Sequence, residues 1–252
     1  MLRKVDRSKY KEYIECANVC TANRVYPMSI ATGTQNGEIY IAGKGCVLFW
    51  HFCGFAYLSG KVSTGTLETI YQMFFETDTE RRFLLITDDE FVSDYYSSRD
   101  FLRFDKRIEY SYGAIPERLP ESDNRFLFER ITAENIRDVK GRIIPSFSWE
   151  NNDLFLQNGF GFMAKRKEDS SFAAVAFSSA ISPGEVDIGV ETDEAYRRHG
   201  LASYLAYRMC DNIIQQGRRP VWAHAETNTG SQKTALSVGF KPCGVNIVIH
   251  KK

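Results

Sequence analysis

The chain has no net charge to offer a polyanion: its 252 residues carry 32 Lys and Arg against 32 Asp and Glu. A nucleic-acid-binding face normally shows as a strongly basic patch or stripe, so no nucleic-acid partner is expected. The chain also lacks any run of about 18 apolar residues, the length needed to span a bilayer as a helix. Residues 1–10 are too charged for a secretory leader, and the expectation is a cytoplasmic protein with no membrane partner. Histidine is scarce, at 4, and the 6 cysteines follow no paired metal spacing. Cys16 and Cys20 share a helical face, and Cys46, His51 and Cys53 lie close in sequence, but neither group has the spacing of a structural zinc site. No metal is expected, and the thiols read as reduced, apolar core residues. Internal repeats and low-complexity tracts are missing as well.

Apolar and aromatic residues are plentiful, with 43% hydrophobic content, 18 Phe and 13 Tyr, enough to fill more than one core. Residues 113–124, GAIPERLPESDN, are charged, contain two prolines and are poor in large apolar side chains, as an exposed connection is. They divide the chain into a domain over 1–118 and another over 125–252. In the first, residues 9–23, 67–76 and 88–104 read as helices, and 38–42, 46–58, 82–87 and 106–112 as strands. It is an α/β unit whose role is not written in its residues. Two nucleotide-binding patterns fail there and beyond. Gly60-Lys61 is followed by Val62, with Phe at 55, which breaks a P-loop twice. Gly159-Phe160-Gly161-Phe162-Met163-Ala164 matches G-x-G-x-x-A but leads into a strand where a dinucleotide fold requires a helix.

The chemistry gathers at Arg197-Arg198-His199-Gly200-Leu201-Ala202, an R-x-x-G-x-A stretch. The first amides of a helix have no intrahelical partner and carry partial positive charge, which stabilises a phosphate placed there. Gly200 permits close approach, and Arg197, Arg198 and His199 add cationic groups around the same point. The general form of the pattern, Gln or Arg, two residues, Gly, one residue, then Gly or Ala, turns up by chance in roughly a quarter of chains this long, so its setting matters. Ahead of it, residues 185–190 alternate as a half-buried strand. Behind it, Leu201, Leu205, Met209 and Ile213 recur at helical spacing, with Ala202 and Ala206 beside them, until Gly217. A strand over 220–225 comes next, then Asn228 and Ser231 at the start of a short helix ending at Gly239-Phe240.

Strand, R-x-x-G-x-A, helix, strand, Asn-x-x-Ser, helix and Gly-Phe, in that order, resemble the coenzyme-A-binding half of the GNAT superfamily of N-acetyltransferases. The resemblance extends back through 125–131 as a first strand, 133–139 and 149–158 as helices, and 160–165 and 172–179 as a strand pair, and forward to 241–251 as the last strand or strands. It is closest to a two-domain subgroup with an α/β domain ahead of the transferase. The implied fold is an α/β chain with a mixed sheet, its C-terminal part a GNAT-like acyl-CoA N-acyltransferase domain.

The resemblance implies an acetyl-CoA-dependent N-acetyltransferase with acetyl-CoA as co-substrate and an amine acceptor. Backbone groups of Ile188, Gly189 and Val190 would hold the pantetheine arm like an added strand, and the amides of residues 197–202 the pyrophosphate. Asn228 and Ser231 would border the same site, although both residue types also favour helix N-caps. A neutral amine would attack the thioester directly, its proton taken by a carboxylate on the strand. Glu185 is the first candidate for that base, with Asp187 and Glu191 on the same strand parity. The family's usual acid, a tyrosine four residues before Gly-Phe in this stretch, is replaced by Ala235. Ser237 or His224 could substitute, or the thiolate could leave with solvent help. The missing tyrosine also leaves a second class open, a non-catalytic acyl-CoA-binding sensor or interaction protein. The acceptor and the oligomeric state, a homodimer among the options, are not specified by the residues.

Overall fold

The computed structural model describes residues 2–43, 45–117 and 119–252. Met1 and Arg118, the two ends of the first expected domain, lie outside the described residues. In chain order the strands are β1 (Leu2–Lys4), β2 (Gly37–Ala42), β3 (Cys46–His51), β4 (Phe55–Gly60), β5 (Leu84–Thr87), β6 (Leu102–Tyr112), β7 (Phe126–Arg130), β8 (Gly161–Arg166), β9 (Phe172–Ile181), β10 (Glu185–Thr192), β11 (Arg219–Ala225) and β12 (Phe240–Lys251). The helices are α1 (Ile14–Asn18), α2 (Val25–Ala31), α3 (Thr64–Ile70), α4 (Glu90–Ser97), α5 (Asn152–Asn158), α6 (Leu201–Gln215) and α7 (Thr229–Ser237).

The chain forms two compact units, one of residues 1–108 and 244–252, the other of residues 109–243. The changeover therefore falls inside strands β6 and β12, whereas the proline-containing stretch 113–124 lies wholly within the second unit. A strand can cross from one unit to the other because its hydrogen bonds are made residue by residue, whereas composition marks only where the chain is exposed.

In the first unit the strand order is β1-β2-β3-β4-β5-β12. Its neighbours pair antiparallel except β4 with β5, which are parallel. On one side Trp50, Phe74, Phe75, Phe83, Leu85 and Tyr96 form a buried aromatic core, with Phe74 and Phe83 stacked at 4.4 Å. Tyr26, His51, Phe55 and Tyr57 pack together separately.

The second unit has the order β6-β11-β10-β9-β8-β7, again antiparallel from β7 to β10 and parallel from β10 to β11. Strand β9 is buried at every one of its 10 residues, as expected for a central strand covered on both faces. Helix α6 lays Leu205, Ala206, Met209, Cys210 and Ile213 against β8, β9, β10 and β11. Trp149, Phe155 and Phe177 make a separate aromatic chain, and the Trp149 indole donates to the Ser178 carbonyl at 2.8 Å.

The two units repeat one plan: a strand, a helical stretch, three antiparallel strands, a helix, a strand parallel to the last, a helix and a closing strand. The sequence shows no such repeat. The shared features are hydrogen-bond directions and crossover order, which many sequences satisfy.

Several expected elements are shorter or divided. Residues 46–58 are two strands, because at Gly54 (φ +94°) the chain turns where a Cβ would meet the Arg82 carbonyl at 2.6 Å. Residues 88–104 hold a helix only over Glu90–Ser97, capped by the Asp89 carboxylate on the Phe91 amide, before β6 begins at Leu102. Residues 9–23 contain a 3-10 turn, Arg7–Tyr13, and the short α1. Helix α2, unforeseen, accommodates Pro27 in its first turn, where a missing amide hydrogen costs no helical bond. Residues 133–139 reduce to one 3-10 turn, Ile136–Asp138. There the Asn135 side chain accepts from the Thr132 amide and donates to the Arg130 carbonyl, local bonds that compete with a helix. Residues 149–158 are helical only beyond the Asn151 cap.

Gly239 is required by the backbone. Its φ is +99°, and an added Cβ would lie 2.0 Å from the Ala114 carbonyl oxygen, while its own carbonyl accepts from the Gly113 amide at 3.0 Å. Gly239→Ala is expected to destabilise the second unit by about 1–3 kcal/mol or more, measured as a lowered midpoint of thermal unfolding.

Candidate functional site

The site grows from one interruption in the sheet of the second unit. β10 pairs with β9 from Val186 to Thr192 but with β11 only at Glu185, Val186 and Asp187, opposite Arg219, Pro220 and Val221. Beyond Asp187 the parallel pair parts, so backbone groups of Ile188, Gly189 and Val190 on that edge have no β11 partner. At the same point β9 carries an extra residue, Ser179, between the partners of Asp187 and Ile188. Such bulges add local twist and re-aim the strand. Gly189 fits here because a Cβ would meet the Phe177 ring at 2.6 Å.

The chain leaves β10 and reaches α6 through residues 193–200. Arg198 and Gly200 both adopt left-handed backbone, φ +68° and +73°, a turn that gathers successive amides. Gly200 stands at the N-cap and gives the helix no side-chain acceptor, and the first helical bond is Tyr204 N–H to the Gly200 carbonyl at 3.0 Å. The amides of Leu201, Ala202 and Ser203 therefore precede the helical ladder at the positive end of a 15-residue helix. No atom lies within 4 Å of where a Gly200 Cβ would stand, so the space beside it is open.

The charges around the loop are partly balanced. Arg197 pairs with Glu194 at 3.1 Å, and Arg198 is exposed. His199 Nδ1 lies 2.8 Å from the Arg125 guanidinium, which in turn binds the Asp123 carboxylate. Hydrogen bonds from the Arg125 side chain and amide, with the Arg125 charge, hold Asp123 well down, at about 2. Asp123 and Arg125, which brace His199, carried no motif in the sequence; their only signal was position beside the first strand of the unit.

The other expected cofactor residues sit on α7 and are occupied in capping it. Asn228 Oδ1 accepts from the Ser231 amide at 3.0 Å, and the Ser231 hydroxyl accepts from the Trp222 indole at 3.0 Å. The cap leaves the remaining Asn228 and Ser231 donors available to a ligand.

The three acidic residues of β10 have separate surroundings. Glu185, at the hairpin end, is ion-paired with Arg219, and its amide donates to the Ser182 hydroxyl at 2.9 Å. Asp187 is buried at the last β11-paired position, where the strands part. Glu191 accepts from the Ile143 amide at 3.0 Å and so fastens residues 140–145 over the same strand face as Gly189. That latch was not legible in sequence, since its donor is a backbone amide 48 residues away.

The substitutes for the missing acid are constrained. The Ser237 hydroxyl donates to the Thr234 carbonyl at 2.8 Å and accepts from Ser203 at 2.8 Å. His224 is buried; its Nδ1 faces the Ala225 carbonyl at 2.8 Å, which can only accept, so Nδ1 carries the proton. Nε2 then accepts from the Tyr110 hydroxyl at 3.0 Å. The proton shared within that pair belongs to Tyr110, a residue that no sequence motif marks. Ala235 is fully buried in the α7 contact.

The sequence of 23–244 matches the profile of the GNAT acetyltransferase family. The chain belongs to that family. As a GNAT acetyltransferase it is an acyl-transferring enzyme built on a mixed α/β sheet. Solved structures with the same fold include a GCN5-related N-acetyltransferase-like protein from Streptococcus suis, with TM-score 0.75 and 18% identity over 98% of this chain and 100% of that one. A GCN5-related N-acetyltransferase from Kribbella flavida gives TM-score 0.64 and 14% identity over 92% and 96%. A tandem GNAT protein from the clavulanic acid biosynthesis pathway gives 0.60 and 10% over 99% and 97%. No curated protein matches the sequence. Among the described residues no helix is long and apolar enough to cross a membrane, and no three His, Cys, Asp or Glu side chains converge as metal ligands. His51 of the Cys46, His51 and Cys53 group is instead a core residue, its Nδ1 accepting from the Cys53 amide at 3.2 Å and its pKa pushed down to about 3 by burial.

The Glu185–Arg219 pair couples the start of β10 to β11, with the carboxylate 9% and the guanidinium 54% exposed. Because water reaches the arginine, the coupling is modest. A double-mutant cycle with Glu185→Gln and Arg219→Met is expected to give an interaction energy of about 0.5–1 kcal/mol by denaturant unfolding.

Proposed function

We propose that the second unit transfers an acetyl group from acetyl-CoA to an amine by direct attack on the thioester. The observation that carries this reading is the uncapped α6 N-terminus, set where β10 has just parted from β11. The amides of residues 201–203 and the exposed Arg198 hold the pyrophosphate, with Arg197 and His199 at its border. The pantetheine arm takes the β11-free edge at Ile188, Gly189 and Val190 as a strand would. Asn228 and Ser231 meet the cofactor from α7.

An ammonium cannot attack a thioester, so a base must take its proton. Among the three β10 carboxylates Asp187 is best placed. It is buried where the strands part, next to the edge formed by Ile188, Gly189 and Val190. Attack forms the new C–N bond, the thioester C–S bond breaks, and the CoA thiolate takes a proton. With Ala235 where a tyrosine would supply it, that proton comes from solvent.

The same alanine favours a second reading, an acyl-CoA-binding sensor without turnover. The two are separated by assaying CoA release from acetyl-CoA across a panel of amines alongside calorimetric binding of CoA. Binding without release for any amine supports the sensor.

Two substitutions test the assigned residues. Arg198→Ala is expected to weaken CoA about tenfold and to leave pantetheine, which lacks the phosphates, unaffected; equal CoA affinity would overturn the loop assignment. It is a cleaner probe than a change at Gly200, where φ of +73° strains any side chain. Asp187→Asn is expected to lower turnover by about 10²- to 10⁴-fold and to flatten the acidic limb of the pH–rate profile, with CoA affinity kept. If Glu185→Gln does this instead while stability is held, the base is Glu185.

A further inference from the structure

The first unit repeats the parting of parallel strands, and there it opens a cavity. β4 pairs with β5 only from Phe55 to Tyr57, opposite Leu84 to Ile86. Leu58, Ser59 and Gly60 then diverge from Thr87 and Asp88, and residues 19–22, between α1 and α2, close the gap. The resulting cavity has a volume of about 190 Å³. An apolar cavity of about 150 Å³ takes up a benzene ring, so a ring with a short chain fits, and a coenzyme does not.

The lining selects charge as well as size. It is more polar than apolar, with Leu58, Val62, Ile86 and Val92 supplying its apolar part, and no Lys, Arg or His lines the space. The Cys20 thiol is kept neutral, burial pushing it up to about 12. The charged groups are Asp88 and Asp89 at the mouth. Asp88 Oδ1 accepts from the Thr21 hydroxyl at 2.7 Å, and Asp89 Oδ1 from the Phe91 amide at 2.9 Å.

Anion-binding groups are already used. Asp89 itself caps α4, and the Ser63 hydroxyl accepts from the Thr66 amide at the start of α3, where the second unit has the bare Gly200. The helix after the open strand starts with free amides in one unit and with a Ser63 cap in the other, where the next helix brings the two carboxylates.

We propose that the first unit binds a small organic ammonium ion in this cavity, its short apolar body against Leu58, Val62 and Val92 and its charged head between Asp88 and Asp89. The site is separate from the 197–202 loop and does not depend on that assignment.

The probe is 2-phenylethylamine, titrated into the full-length protein by calorimetry and thermal shift, beside neutral 2-phenylethanol and anionic 3-phenylpropionate. Binding of the amine alone is expected. The double variant Asp88→Asn, Asp89→Asn keeps an acceptor for Thr21 and a competent helix cap, since Asn caps as well as Asp. It is expected to bind the amine at least about tenfold more weakly, the worth of one charge-assisted contact. Val62→Trp, which fills the space without touching the cap, is expected to do the same. No amine binding, equal binding of 2-phenylethanol, or undiminished binding in both cavity variants would overturn the proposal.

Discussion

Each unit turns on a parallel strand pair that is zipped at one end and open at the other. In the second unit three residues of β10 reach β11, and the rest of β10 keeps only its β9 partner. An unpaired strand edge inside a protein is costly unless something takes its backbone groups. A ligand that lies along the edge can do so, which is the basis for proposing a site here. The bulge at Ser179, the close ring contact at Gly189 and the left-handed loop before α6 all accommodate that opening.

The same constraint underlies the opposite ligands proposed for the two units, because the loops beyond the open strand differ. After β10 the chain leaves the helix N-terminus uncapped at Gly200, with arginines around it. After β4 it places Ser63 at the cap of a 7-residue helix, and the mouth of the gap receives Asp88 and Asp89. A phosphate is favoured beside free amides and cations, an ammonium beside carboxylates; the repeated scaffold positions the opening, and a few loop residues choose the ligand.

The C-terminal half was the more legible in sequence, for identifiable reasons. α6 buries Leu205, Met209 and Ile213 at helical spacing, so periodicity reports it; the alternation of β10 reports a strand but not its burial, since Glu185 to Gly189 are all buried rather than half-buried. The R-x-x-G-x-A stretch falls at the Gly200 turn because glycine is the residue that takes φ of +73° without strain. Local side-chain bonds defeated periodicity elsewhere: Asn135 turned an expected helix into a single 3-10 turn, and Asn151 delayed the next one. The repeat of the two units was invisible because it resides in strand direction and crossover order. So was the exchange of strand ends, since nothing in residues 102–112 or 240–251 marks where one unit gives way to the other.

The candidate catalytic residues were the least legible, and the structure explains why. Glu185, Asp187 and Glu191 are equivalent by strand parity, yet their partners come from distant segments: Arg219 takes the first and the Ile143 amide the last. Spacing within one strand cannot report such partners. Ala235 shows the converse. Its side chain is fully buried and has no proton to give, so the loss of the usual donor is legible from the residue alone, whereas what replaces it is not. In the proposed transfer the departing thiolate therefore takes its proton from water, while Asn228 and Ser231 are engaged in fixing the start of α7.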